Sequence, residues 1–423
     1  MKNSAQSRWL SGWDQFLKQH PVLDIVDRTV PFVTPGDAPA ITAKNEDFWQ
    51  LVKTCFPVSD RVINLNNGAV SSSPSVVETA YTSYYSLVNS APSYYIWKVM
   101  EAGKETIREG LATLINCSAD EIAIFRNATE ALNNAIFGIP LSAGDEVVAC
   151  KQDYVKTVSS WKQRELREGI KVVWVDLTGT ETSEEIVGKF VSAFTPKTKV
   201  IQITHVINWN GLVLPAKEII QSAKARNILT VLDAAHSFGI LETDVADLGC
   251  DYMGTALHKW LSGPIPSGML YIRKNSIGQT WPLASGANPL SDNIRKFEEL
   301  SIQLLPNVIG LGYAIEFHLN LGREYKEQRL RYLRRYWIDK IKNRSGVTFN
   351  TPFVEEQCAV IANMALQGWD PPALENELLT KFNVHVGVVL LQNLQGIRVT
   401  PNIYTTPQEL DAFVHAFSSI AKG

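Results

Sequence analysis

Between residues 121 and 272 the chain alternates short, continuously apolar runs with amphipathic helical stretches, and this alternation restricts the fold more than any other feature. Strands are predicted at 121–125, 146–150, 172–175, 200–205, 228–233 and 269–272, and helices between them at 129–137, 154–168, 184–194 and 215–226. Most of the strand runs are apolar throughout, where a half-exposed strand would alternate, so both faces of the sheet must be covered. A mainly parallel sheet with helices on both sides satisfies that demand. Ligands in such sheets bind beyond the carboxyl ends of the strands, so the residues that follow each apolar run are the first candidates for chemistry.

Past residue 305 the pattern changes. Long helices are predicted at 307–321 and 324–342, shorter strands at 359–366 and 385–391, and a last helix opened by Thr406 as cap, Pro407 and Glu409. The arginines of the second long helix, Arg329, Arg331, Arg334 and Arg335, read as a solvated basic face. The expected organisation is an N-terminal segment (1–60) packing on the small domain, a large domain (61–305) and a smaller C-terminal α+β domain (306–423). A chain of 423 residues is long enough for more than one domain.

A net charge of -3 gives no reason to expect nucleic acid, and no apolar run approaches membrane-spanning length. Cys55, Cys117, Cys150, Cys250 and Cys358 are scattered without metal-ligand spacing, so no metal site is expected. They read as reduced thiols. The first residues show no signal-type apolar stretch, and a cytoplasmic location is the expectation.

Six elements, most of them at predicted strand ends, carry the chemistry. Asn127-Ala128-Thr129 opens a helix, whose free amides and dipole attract a phosphate. Gln152-Asp153-Tyr154 offers an aromatic for stacking on a flat ring, although core packing of Tyr154 reads equally well. Asn208 lies in a polar turn before Gly211, where an amide can bond a ligand oxygen or its own backbone. Asp233 ends an apolar strand, with His236 shortly after it. His258-Lys259 follows another apolar run and precedes a Gly/Pro-rich turn. Arg398, near the end, has the fork geometry that clamps a carboxylate. An acid and a lysine at nearby strand ends are what pyridoxal phosphate requires: the amine condenses with the aldehyde, and the acid keeps the pyridine nitrogen protonated.

In this order the motifs resemble the class V aminotransferases of the fold type I pyridoxal-phosphate enzymes, on the isopenicillin N epimerase-like branch. The resemblance is carried by Leu65 to Gly68, Arg126 to Asn133, His205 to Gly211, Asp233 to His236, Leu257 to Trp260 and Ile397 to Tyr404. It implies a fold type I transferase architecture and a homodimer. It gives Lys259 the covalent link to the cofactor and proton transfer at the substrate Cα, and it pairs Asp233 with the pyridine nitrogen. It sets His236 and Asn208 near the phenolic oxygen and Tyr154 on the ring. Ala128, Thr129 and His258 would hold the phosphate, and Arg398 would bind the substrate carboxylate with Asn67 beside it. The chain departs from the family at Ala256, where a phosphate-binding serine is common, at Ile302, where a threonine usually reaches the partner subunit, and at Pro266, where glycine is common.

These features lead us to expect an enzyme acting at the Cα of an amino acid or amino-acid-derived small metabolite, aminotransferase-like, in a biosynthetic or secondary pathway. Epimerisation, for which Tyr94, Tyr95 and Tyr154 offer a second acid, and β-elimination or C–S lysis are the alternatives on the same cofactor. A repurposed, non-catalytic scaffold is the alternative of another class. No cysteine lies between Cys358 and Arg398, where desulfurases of the family carry their nucleophile, so persulfide chemistry is not expected.

Overall fold

The computed structural model describes residues 3–284, 286–391 and 394–421. Their internal contacts divide them into two units. The first comprises Met1–Arg28, Ser73–His205 and Leu214–Leu319; the second comprises Thr29–Ser72, Val206–Val213 and Asn320–Gly423.

The first unit is built on a seven-stranded sheet. Its strands are β1 (Ile122–Phe125), β2 (Glu146–Cys150), β3 (Lys171–Val175), β4 (Thr198–Thr204), β5 (Leu229–Asp233), β6 (Tyr252–Ala256) and β7 (Gly268–Ile272). They lie in the order β1-β7-β6-β5-β4-β2-β3. β7 runs antiparallel to both neighbours, and every other pairing is parallel. The carboxyl ends of the remaining strands therefore share one edge. β1, β6 and β7 are buried along their whole length, as their unbroken apolar runs require.

Helix α1 (Ser4–Gln19) belongs to this unit, and so do α2 (Gly103–Ile115), α3 (Ala128–Gly138) and α4 (Val155–Glu168). α3 lies unusually close to the sheet. A Cβ at Gly254 would come within 2.6 Å of Leu132, and one at Gly268 within 2.5 Å of the Asn127 backbone. Only glycine at these two positions lets the start of α3 approach the edge where the strands end.

The N-terminal segment differs from expectation. Its first 28 residues pack in the large unit, while Thr29–Ser72 belong to the small one. Trp9, Trp13 and Phe16 form a helical stripe on α1. Trp9 donates to the Thr106 carbonyl on α2 at 2.8 Å, and Trp13 meets Tyr313 edge-on with centroids 5.3 Å apart. Each indole thus buries its ring and keeps its N–H bonded. The expected boundary at 305 also moves: helix Leu305–Leu321 lies almost wholly in the first unit, which extends to Leu319.

The second unit holds a four-stranded antiparallel sheet of β8 (Val347–Phe349), β9 (Ala362–Leu366), β10 (Gly387–Leu391) and β11 (Leu394–Val399), ordered β10-β11-β9-β8. Helix α5 (Arg323–Ile341) and the last helix, α6 (Pro407–Ile420), share its core through Leu333, Trp337, Phe413 and Ile397. The cap expected at Thr406 is present as a reciprocal box with Glu409. The basic face expected on α5 is only partly solvated, because Arg329 is 1 % and Arg334 7 % exposed. Arg329 is drawn inward by Glu46, which it grips with both terminal nitrogens, and by the carbonyls of Ala43 and Thr405.

Candidate active site

Every strand end on the carboxyl edge of the large sheet delivers a polar group. β1 leads into Asn127, whose side chain caps α3 by accepting from the Glu130 amide at 2.9 Å. The next two amides, of Ala128 and Thr129, face a helix end where no helical carbonyl can reach them. With the Thr129 hydroxyl they are available to an anion. β6 ends at Ala256, two residues before His258 and three before Lys259. β5 ends in Asp233, three residues before His236.

Lys259 Nζ lies 3.1 Å from His236 Nε2. Asp233 is 4 % exposed and accepts from the Ala235 amide at 2.9 Å. Burial pushes its carboxyl above the ordinary range, against the opposing pull of that amide and of the Lys259 charge. His258 is fixed through Nδ1, which lies 2.8 Å from the Ser267 carbonyl and 3.0 Å from the Ser267 amide. Burial holds its imidazole below the usual range. Tyr154 stands at the cap of α4 and is 37 % exposed, so a ring is presented at this edge rather than packed into the core.

Three groups at the same edge were given no role in the reading of the sequence. Asp153 is 1 % exposed and accepts from Thr204 Oγ1 at 2.5 Å. Burial drives its carboxyl up to about 8, and the nearby Asp233 adds to the shift. His205 follows β4, with its amide on the Asp233 carbonyl at 2.9 Å. Burial lowers its imidazole to about 4, and among the described residues its Nδ1 has no hydrogen-bond partner. Asp153 sat inside a triplet already singled out, but the neighbouring aromatic took the attention. Thr204 and His205 have no spacing signal, because only the pairing of β4 with β5 sets Thr204 opposite Asp233.

The other expected residues lie in the second unit. Arg398 donates from one terminal nitrogen to the Asn208 carbonyl and from the other to Asn66 Oδ1, each at 3.0 Å. Asn66 is in turn 3.2 Å from His385 Nε2. The guanidinium is thus held in place by its own unit. The buried Oδ1 of Asn208 meets no donor among the described residues. Asn67 behaves differently from its expected role. Its amide nitrogen donates to Asn64 and Thr400 carbonyls, and its oxygen accepts from Tyr404 and Asn64. Asn67 holds its loop together, and the neighbouring Asn66 is the residue that meets Arg398.

The donor set of the first unit fits pyridoxal phosphate: a lysine beside a buried carboxylate that carries no counter-ion stronger than that lysine, and a helix N-terminus for the phosphate. Ala256, which is buried, leaves no serine hydroxyl at its position, and the Ser267 hydroxyl is occupied by the Pro264 carbonyl at 2.6 Å. Thr129 is then the hydroxyl available beside the α3 amides.

The profile of the family "Aminotransferase class-V" matches residues 63–413. The chain belongs to the class V aminotransferase family. Its cofactor is pyridoxal phosphate and its fold is that of the fold type I enzymes. It is 25 % identical over 390 residues to isopenicillin N epimerase of Streptomyces clavuligerus, covering 88 % of this chain and 98 % of that protein. A probable cysteine desulfurase of Halalkalibacterium halodurans is 29 % identical over 325 residues, 71 % of this chain and 79 % of the relative. The apo structure of a cysteine desulfurase from Thermococcus onnurineus superposes with a TM-score of 0.78 at 21 % identity, over 88 % of this chain and 98 % of that one. No helix among the described residues is long and apolar enough to cross a membrane.

Proposed function

We propose that this class V enzyme moves a proton at the Cα of an amino acid or an amino-acid-derived small metabolite, with transamination as the net outcome, in a biosynthetic or secondary pathway. The observation that carries the reading is the Lys259 amine at 3.1 Å from His236, on the same sheet edge as the buried Asp233. Bound pyridoxal phosphate supplies an aldehyde carbon for amines and a ring that draws electrons away from Cα. Lys259 carries the cofactor, takes the Cα proton and returns it, and His236 orients its amine. Asp233 keeps a proton on the ring nitrogen, since a buried carboxylate gains most from a cationic partner. The Ala128 and Thr129 amides with the Thr129 hydroxyl hold the phosphate, and Tyr154 covers the ring. Arg398, braced by Asn66 and the Asn208 carbonyl, grips the substrate carboxylate.

Epimerisation is the second reading, supported by the near-complete coverage of the S. clavuligerus epimerase. It adds an acid on the opposite face, and the half-exposed Tyr154 is the candidate. C–S lysis without a protein thiol stays compatible with the residues. Persulfide chemistry does not: burial raises the Cys358 thiol and leaves it 2 % exposed, raises Cys55 to about 11 and Cys250 to about 12, and lifts Cys117 and Cys150 further. Five free cysteines suit a reducing cytoplasm. The exposed Trp97 and Ile302, which border one cavity of the first unit, suit burial against a second copy in a homodimer.

The test is incubation of holoprotein with pools of amino acids in deuterated water. Keto acid formation supports transamination. Deuterium at Cα without net turnover shifts the assignment to epimerisation, and loss of a side-chain fragment shifts it to lysis. A colourless protein that added cofactor leaves unchanged overturns the enzyme and returns the scaffold.

A further inference from the structure

Helix α5 carries two buried arginines that are treated differently. Arg329 has its charge balanced, although its buried Nε, like that of Arg334, has no hydrogen-bond partner among the described residues: it makes two bonds to Glu46 and two to carbonyls, and lies over the faces of Trp49 and Tyr332 at 5.3 and 5.5 Å. Arg334 is 7 % exposed, yet the acceptor it reaches is one neutral carbonyl, that of Pro352 at 2.7 Å. Among the described residues its buried Nε has no hydrogen-bond partner. Its flanking cations, Arg331 and Arg335, add repulsion to the cost of burial, and together they pull the guanidinium below its usual range. A guanidinium taken out of water without a counter-charge is the least stable arrangement for this side chain.

Arg334 lines a cavity of about 440 Å³ whose walls belong entirely to the second unit. The volume lies within the roughly 300–1,000 Å³ common for small-molecule sites. The carboxylates at the cavity are already engaged: Glu355 by Arg335 at 2.7 Å and Asp339 by Lys342 at 2.7 Å. Arg331 is tied to Glu327 at 2.9 Å. One uncompensated positive charge is left at the wall. The cavity lining also includes apolar groups, Ile338, Ala359 and the Phe353 ring, and Phe353 is 59 % exposed. None of these residues is one of those assigned above to cofactor or substrate.

We propose that this cavity is a binding site for a small organic anion, an apolar or aromatic body bearing a carboxylate or phosphate, whose oxyanion supplies the counter-charge of Arg334 while the body covers Phe353. The site is independent of the reaction catalysed at the large sheet. A resident anion explains why the chain keeps a cation buried where, among the described residues, no carboxylate bonds it directly, Glu355 acting on it only from beyond its own pair with Arg335, and why a large apolar ring of the same cavity stays exposed.

The experiment titrates the holoprotein with phenyl phosphate, benzoate and inorganic phosphate by calorimetry, with cofactor absorbance followed in parallel. At least one of the two aromatic anions is expected to bind saturably and to weaken with added salt. Arg334→Met should weaken that binding at least about tenfold, the usual worth of a charge-assisted hydrogen bond, with the cofactor spectrum unchanged. Phe353→Ala, an exposed change that tests the site even if the buried variant misfolds, should weaken the aromatic anions and spare inorganic phosphate. A preference for phenyl phosphate assigns a phosphate ester, and a preference for benzoate assigns a carboxylate. Absence of saturable binding by every probe, or binding unmoved by both variants, overturns the site.

Discussion

Two buried polar clusters of the first unit can be compared directly. One surrounds Arg108, which is wholly buried and grips Glu298 through both terminal nitrogens at 2.6 and 3.0 Å. Glu105 approaches its Nε at 3.2 Å, and Glu298 also accepts from the Ile124 amide at 2.6 Å, which fastens β1. The other is the carboxyl edge, where Asp153, Asp233 and His205 are equally buried. There the described residues of this unit supply hydroxyls, amides and the Lys259 amine, but no guanidinium bonded to these groups. The first cluster closes its own charge balance and is structural. The second leaves it open, and an open balance next to a lysine is the physical mark of a place where a charged cofactor belongs.

Lys259→Ala should produce the largest effect. Borohydride should no longer fix the cofactor to the chain, and Cα proton exchange should fall by about 10³-fold or more, in line with loss of a positioned acid–base group. Retained exchange and covalent labelling would remove the lysine from the reaction. The Arg108→Leu variant should cost about 3 kcal/mol in urea unfolding, because the buried Glu298 loses both guanidinium bonds and keeps only the longer contact to Lys104 at 3.4 Å as ion pair among the described residues. Asp233→Asn should leave the apoprotein as stable or more stable while reducing activity. If both changes destabilise equally, the contrast between closed and open clusters fails.

His205 sharpens the comparison through pH. Its imidazole is depressed to about 4 in the folded state, so the unfolded chain binds the proton first. The contribution is present above about 6.5 and is lost as pH falls from about 6.5 to about 4, by about 3 kcal/mol in all. Urea midpoints of wild type and His205→Asn across that range measure it, and the variant should lack this slope. The smallest effect is expected at Thr204→Val, about 1 kcal/mol for one hydrogen bond to Asp153. That bond holds the Asp153 carboxyl down, so its loss should move the acid further above about 8, detectable by carbonyl-stretch titration of the apoprotein. A titration that moves down instead would mean that the hydroxyl does not donate to it.

Much of the first unit was legible because its elements are long, continuous and local. The apolar runs gave β1, β2, β3, β4, β5 and β7 with small boundary shifts, and the residues following such runs include Asp233, His236 and Lys259. β6 was recognisable as an apolar run into Lys259. Asp153 and His205 were not legible as partners of the site, since their surroundings depend on which strands become neighbours. The basic stripe on α5 failed for a related reason. Charge periodicity cannot tell Arg329, drawn in by Glu46 from far along the chain, from the exposed Arg335. The same limit hid the division of the N-terminal segment at Arg28, because the receiving surface for Trp9 and Trp13 is assembled from residues 97 and 303 positions away.

The order of residues alone determined the sheet type, the cofactor chemistry and the lysine proposed to carry it, because hydrophobic periodicity and strand-end chemistry are written within a few neighbouring positions. The tertiary structure alone decided which buried charges are balanced and which are left open, because a counter-charge is a matter of distance in space, and residues remote in sequence set that distance.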